Sequence, residues 1–153
     1  MTKFKFRLAT LLKLREARRD QARTALAEAF LAEQVLAEQM ADIAQQQAAL
    51  LALQRAAAAE KYLNIGRLLE AQRHELLLEA SEQQLTRQQS LLLVETERRR
   101  LALVEADRDV KALELLKDRQ HNEHSKEERR RETKELDEAA IVRQSRSETA
   151  VAT

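Results

Sequence analysis

Tyr62-Leu63-Asn64-Ile65-Gly66 is the one stretch of this chain that reads as a break. Gly66 is the single glycine among 153 residues, and there is no proline. Gly and Asn accept the left-handed backbone conformation in which helices end, so a helix is expected to stop here. Sequence on both sides has helical spacing, and Asn64 and Gly66 fall together near the midpoint of the periodic region. The expected fold is therefore all-α, a long antiparallel two-helix coiled-coil hairpin whose second helix is longer than the first. Helix 1 covers about 8–62, the tip 63–66 and helix 2 about 67–140; residues 1–140 form one domain, and 141–153 are a frayed tail. The competing architecture is one continuous helix in a parallel dimer, with Gly66 tolerated at a cost of about 1 kcal/mol. The midpoint position of the break favours the hairpin.

Upstream of the break a heptad seam runs from Ala22. One core position reads Leu26, Glu33, Met40, Gln47, Gln54; the other reads Ala22, Ala29, Leu36, Ile43, Leu50, Ala57. Small seam residues let two helices approach closely, and alanine is the best helix former, so Gln45 to Lys61 is expected to be helical where the seam is weak. Downstream, Leu78, Leu85, Leu92, Ala106 and Leu113 recur every seven residues, with Arg99 on a missed beat and Leu103 and Val110 as companions. Folding about residue 65 sets Ile43 opposite roughly Arg87 and Leu26 opposite roughly Val104. At ~1.5 Å per residue such a hairpin is on the order of 80 Å long. Leu76, Leu77 and Leu91 are further leucines through which the chain could pair again. From Gln120 onward apolar residues thin out, and His121 to Lys134 reads as a solvated single helix.

The composition agrees. Only four residues are aromatic, 35% are charged, and the apolar supply is leucine and alanine, which suits a helix–helix seam better than a compact core. With no cysteine, a disulfide framework is excluded. No stretch approaches the ~18 to 20 apolar residues that span a bilayer, and the basic start lacks the apolar centre and cleavage site of a signal peptide, so a cytoplasmic protein is expected. The net charge of +1 is uneven: residues 1–23 carry eight Lys/Arg against two acids, and 24–94 carry five against nine. Near-neutrality argues against a nucleic-acid partner, which calls for a basic face over most of a domain.

Catalysis finds no support. One glycine cannot build a P-loop or a dinucleotide-binding turn. The serines lie in polar helical or tail contexts, and a hairpin offers no concave pocket for a small-molecule substrate. No cofactor is expected. His121 and His124 stand at i, i+3 and could share a divalent metal, but two solvated histidines on a charged helix is the favoured reading, so no metal site is expected. Arg98-Arg99-Arg100 and Arg129-Arg130-Arg131 are flanked by acids and read as solvated i, i+4 pairs. The basic, apolar start at Phe4, Phe6, Leu8, Leu11 and Leu12 suits either an anionic membrane surface or an acidic protein cavity, and the residues do not choose between these.

Phe4-Lys5-Phe6-Arg7-Leu8-Ala9-Thr10-Leu11-Leu12-Lys13-Leu14-Arg15 resembles the F-x-F-x-L-x-x-L-L-x-x-R opening of FliJ-type flagellar export proteins. Lys111-Ala112-Leu113-Glu114-Leu115-Leu116-Lys117-Asp118-Arg119 is similar to the family's K-x-L-E-x-L-K-x-R stretch, and Glu132-Thr133-Lys134-Glu135-Leu136-Asp137-Glu138-Ala139-Ala140 to its closing E-x-K-x-L-D-E-x-A. Order and spacing agree along the whole chain. The resemblance implies a non-enzymatic component of the flagellar type III export apparatus, cytoplasmic and peripheral at the inner membrane. Members are antiparallel coiled coils like the rotary stalk subunit of F-type ATPases. They sit in the hole of the hexameric export ATPase, touch the cytoplasmic domain of the export-gate membrane protein, and cycle export chaperones. By that resemblance the ATPase-facing residues are Phe4, Phe6, Arg7, Leu8, Leu11, Leu12, Arg15, Lys111, Lys117, Arg119, Lys134, Leu136 and Asp137. The gate-facing residues are Ile65, Leu69, Gln72 and Leu76. The alternatives are a membrane-surface or structural coiled-coil scaffold, or the equivalent rod of a virulence type III secretion system.

Overall fold

The computed structural model describes the backbone from residue 4 to residue 151 and side chains from 4 to 144. Two helices, α1 (Ala9–Ala58) and α2 (Ile65–Val151), pack antiparallel, and the second is the longer. Bonds within one chain between residues 33 and 96, 47 and 82, and 54 and 75 exclude the continuous helix.

The break lies where the sequence puts it but works differently. Among the described residues none, glycine included, has a positive φ, so neither Asn64 nor Gly66 ends α1 in the left-handed conformation. Instead α1 closes in a tightened turn: the Ala59 N–H donates to the carbonyls of Arg55 and Ala56, both at 3.2 Å, and the Glu60 N–H to that of Ala57 at 3.4 Å. Arg55 stands in this last turn, against the negative end of the helix dipole. Asn64 then starts α2, its Oδ1 accepting the Arg67 N–H at 3.3 Å as an N-cap side chain does. Gly66 is thereby the second residue of a helix, and a Cβ there would meet Asn64 Oδ1 at 3.4 Å. Hence α1 ends at Ala58, before the expected 62, and α2 begins at Ile65, before 67. Beyond residue 140, where a frayed tail is expected, α2 continues to Val151, there being no Gly or Pro to stop it. Residues 152 and 153 of that tail lie outside the described residues.

The chain divides into two compact units. In the unit Arg19–Glu105 burial follows the heptads. Ala29, Leu36, Leu50 and Leu78 are buried, and Ala22, Leu26, Met40, Ile43, Ala57, Leu85, Leu92 and Leu103 are half-buried. The polar seam positions bond across. Thr96 donates to Glu33 at 2.5 Å, Gln47 to Glu82 at 2.8 Å and Gln54 to Glu75 at 3.1 Å. On both helices these partners are spaced by whole heptads, so one register satisfies all three and a slip of one residue loses all three. Arg99 fills the beat that looked empty. Its Nη1 donates to the Ala25 carbonyl at 2.6 Å, which the short side chains of Ala22, Ala25 and Ala29 leave within reach.

The other unit joins residues up to Arg18 with those from Ala106. Leu12, Ala106 and Val110 are buried, Val110 to 1% exposure, and Leu11, Leu113 and Leu116 are half-buried. Phe4 to Phe6 precede the helix. The Ala9 N–H donates to Phe6 at 3.3 Å and the Leu12 N–H to Leu8 at 2.9 Å, turning the chain into α1.

Candidate partner-binding surfaces

Of the residues marked as ATPase-facing, some are engaged within the hairpin. Phe4 packs edge-on against His121, with ring centroids 5.2 Å apart, and at a tilt against His124 at 5.8 Å. Leu12 is buried, while Phe6 and Leu11 are half-buried and Leu8 is exposed. Arg15 Nη1 donates to Asp109 Oδ2 at 2.9 Å, tying the opening motif to α2. Outward stand Lys5, Arg7, Lys13 and Arg18, all exposed and all basic. Lys111 lies 3.6 Å from Asp107 along α2. Lys117, Arg119, Lys134, Leu136 and Asp137 are exposed.

The Phe4 contacts change the reading of the histidines. Gln120, His124, Ser125 and Glu128 are half-buried, so α2 is partly covered as far as residue 128 rather than bare from 120. His124 also lies 3.9 Å from Glu128. The periodicity of α2 gave no sign of the contacts at His121 and His124, because they come from Phe4, which precedes α1. Among the described residues no cluster of three or more His, Cys, Asp or Glu could hold a metal.

Ile65, Leu69, Gln72 and Leu76 are all exposed at spacings of four, three and four along the start of α2, so they share one face. Leu50, Leu53, Gln54 and Ala57 of α1, with Leu68 and His74 of α2, are among the residues lining a groove of about 550 Å³. Tyr62 and Leu63, in the connection, are also exposed.

The first arginine run is an ion-pair ladder. Glu95 takes two 2.8 Å bonds from Arg98 and one from Arg99, and Arg100 makes bonds of 2.8 and 2.7 Å to Glu97. Hydrogen bonding from Arg98 and then Arg99 pulls the Glu95 carboxyl down to about 2. Arg100 likewise lowers Glu97 below the ordinary carboxylate value. These guanidiniums are matched by acids of their own helix. Sequence reasoning missed Thr96 and Asp109. Thr96 stands seven residues before Leu103 and fourteen before Val110, a spacing that marks it as a seam position despite its hydroxyl.

This is the build of a helical-hairpin coiled coil, with an internally bonded seam and its charged and leucine-bearing faces turned outward. The sequence profile of the family described as Flagellar FliJ protein matches residues 4–149, and the chain belongs to that family. Membership makes it a component of flagellar type III export, a family that is generally non-catalytic. No curated protein and no solved structure matches the chain. No helix among the described residues is long and apolar enough to cross a membrane.

Proposed function

We propose that this chain serves the export apparatus as a stalk. The end built from its two termini enters the hexameric export ATPase, and the exposed face at the start of α2 meets the cytoplasmic domain of the export gate. It works at the cytoplasmic face of the inner membrane and hands on export chaperones. One observation carries the reading: the family's opening motif is bonded to α2 through Arg15–Asp109 and Phe4–His121, and this leaves Lys5, Arg7, Lys13 and Arg18 facing outward. A basic end suits a hole lined by carboxylates, where complementary charge speeds encounter and fixes register more than it adds affinity. The membrane-surface alternative loses support, since Phe4, Phe6, Leu11 and Leu12 are wholly or partly covered by the hairpin itself.

The test adds the purified full chain to the export ATPase and follows hexamer formation and ATPase rate. Both are expected to rise with the wild-type chain, and the rise is expected to shrink with Arg7→Glu combined with Lys13→Glu. Ile65→Asp combined with Leu69→Asp is expected to leave the ATPase effect intact and to weaken capture of the gate domain. A chain that changes neither hexamer formation nor ATPase rate contradicts the stalk reading.

A further inference from the structure

On α1, Glu28, Leu31, Val35 and Glu38 follow at steps of three and four and are all exposed. Arg87, Leu91, Val94 and Arg98 do the same on α2, with Leu91 73% and Val94 71% exposed. Such steps make each set a single stripe. At about 100° per residue, each stripe lies roughly 140–155° around its helix from the seam. Neither stripe can therefore be covered by the other helix of the same hairpin.

The two stripes are complementary in kind and in order. On α1 two acids bracket a leucine and a valine; on α2 two arginines bracket a leucine and a valine. Laid antiparallel, Glu28 meets Arg98, Leu31 meets Val94, Val35 meets Leu91 and Glu38 meets Arg87. This alignment lies within about one helical turn of the register that Glu33–Thr96 sets inside the hairpin. Copies pairing this way stand side by side at nearly equal height.

We propose that the partner of each stripe is the opposite stripe of a second copy of this chain, α1 of one against α2 of the next. The proposal does not depend on the stalk reading. Existing contacts do not stand in its way. Glu38 accepts from Gln34 at 3.2 Å and Arg98 pairs with Glu95 at 2.8 Å, both along their own helix at an exposed surface where ion pairs exchange readily. The contact joins two different patches, so each added copy leaves one stripe of each kind open and association does not stop at a dimer. Four residues a side make a small, partly charged interface, so the association is weak and weakens as salt rises.

The experiment is sedimentation velocity on the full chain from about 10 μM to on the order of 1 mM at low salt, a range that covers weak binding. The wild type is expected to show a sedimentation coefficient that climbs with concentration past the dimer. Glu28→Lys with Glu38→Lys is expected to be monomeric, its two stripes now both basic. Arg87→Glu with Arg98→Glu is expected to be monomeric, its stripes both acidic. An equimolar mixture of the two is expected to associate again, because each stripe then finds its opposite. Circular dichroism checks that both variants keep the wild-type helix content. A wild type that stays monomeric throughout overturns the proposal and leaves the stripes to a different protein. Association that survives either reversal, or a mixture that stays monomeric, overturns it as well.

Discussion

Two stretches of α2 have similar helix-forming composition and opposite surroundings. Covered side chains recur along it as far as Glu128, whereas from Arg129 to Gln144 every side chain is exposed. Both are helical. In the first stretch helix formation is reinforced by burial against α1 and, near its far end, by the packing of Phe4 on His121 and His124. In the second it rests on residues that favour helix and on charges spaced to pair along it. The difference separates what makes a helix from what makes a hairpin. The hairpin is set by seam residues, so substitutions there weigh heavily and substitutions at 129–144 weigh little.

The largest effect is expected from truncating the seam. Leu36→Ala should destabilise the chain by about 2–3 kcal/mol, whereas Leu136→Ala should stay within about 0.5 kcal/mol, both read from urea melts followed by circular dichroism. A Leu36→Ala chain that melts like wild type would erase the distinction between the two stretches.

Next comes the polar part of the seam. Thr96→Val removes the donor to Glu33 and leaves a half-buried carboxylate short of a partner, at an expected cost of about 1–2 kcal/mol. If Glu33–Thr96, Gln47–Glu82 and Gln54–Glu75 hold the register, a cysteine pair that crosslinks in wild type should crosslink less selectively in this variant. Unchanged selectivity would assign register to the leucines alone.

At the tip the expected effects are smaller and opposite in sign. Asn64→Ala removes the N-cap of α2 and should cost about 1 kcal/mol. Gly66→Ala places alanine in a helical first turn, with an added Cβ at ordinary contact distance from Asn64, and should stabilise by up to about 1 kcal/mol. Marked destabilisation by Gly66→Ala would mean that the glycine is needed for its left-handed conformation after all.

The smallest effect is electrostatic. Glu95 is held at about 2 in the folded chain, below the ordinary carboxylate value near 4.3 that it has when unfolded. Its share of stability is therefore fully present above that ordinary value and is lost as pH falls toward 2. Thermal midpoints measured from pH 7 to pH 2 should show a weaker acid decline in Glu95→Gln than in wild type. Identical declines would remove Glu95 from the account.

The sequence carried the hairpin and most of the seam, because burial against one partner helix leaves a seven-residue rhythm. Leu36, Leu50 and Leu78 are buried where that rhythm puts them. It located the break but misread its chemistry, since Asn64 is equally suited to ending one helix and capping the next, and only the Arg67 N–H bond decides between these. Arg99 looked like a missing beat because a charged residue scores as polar, although its guanidinium reaches across the alanines of α1 to Ala25. The Phe4 contact with His121 and His124 depends on where the chain lies before α1, which periodicity does not encode. At the surface, the sequence supplied the family motifs but not which of their residues are spent inside the hairpin, as Leu12 and Arg15 are.

The doubling back at residues 59–64 is the central claim, and one distance tests it most directly. Spin labels on cysteines replacing Leu26 and Val104, in chain diluted with unlabelled protein, should lie on the order of 10–25 Å apart, the spacing of packed helices plus the label arms. A continuous helix would put the same labels about 115 Å apart at ~1.5 Å per residue. A short distance that persists on dilution is the predicted result; its absence would contradict the fold and everything built on it.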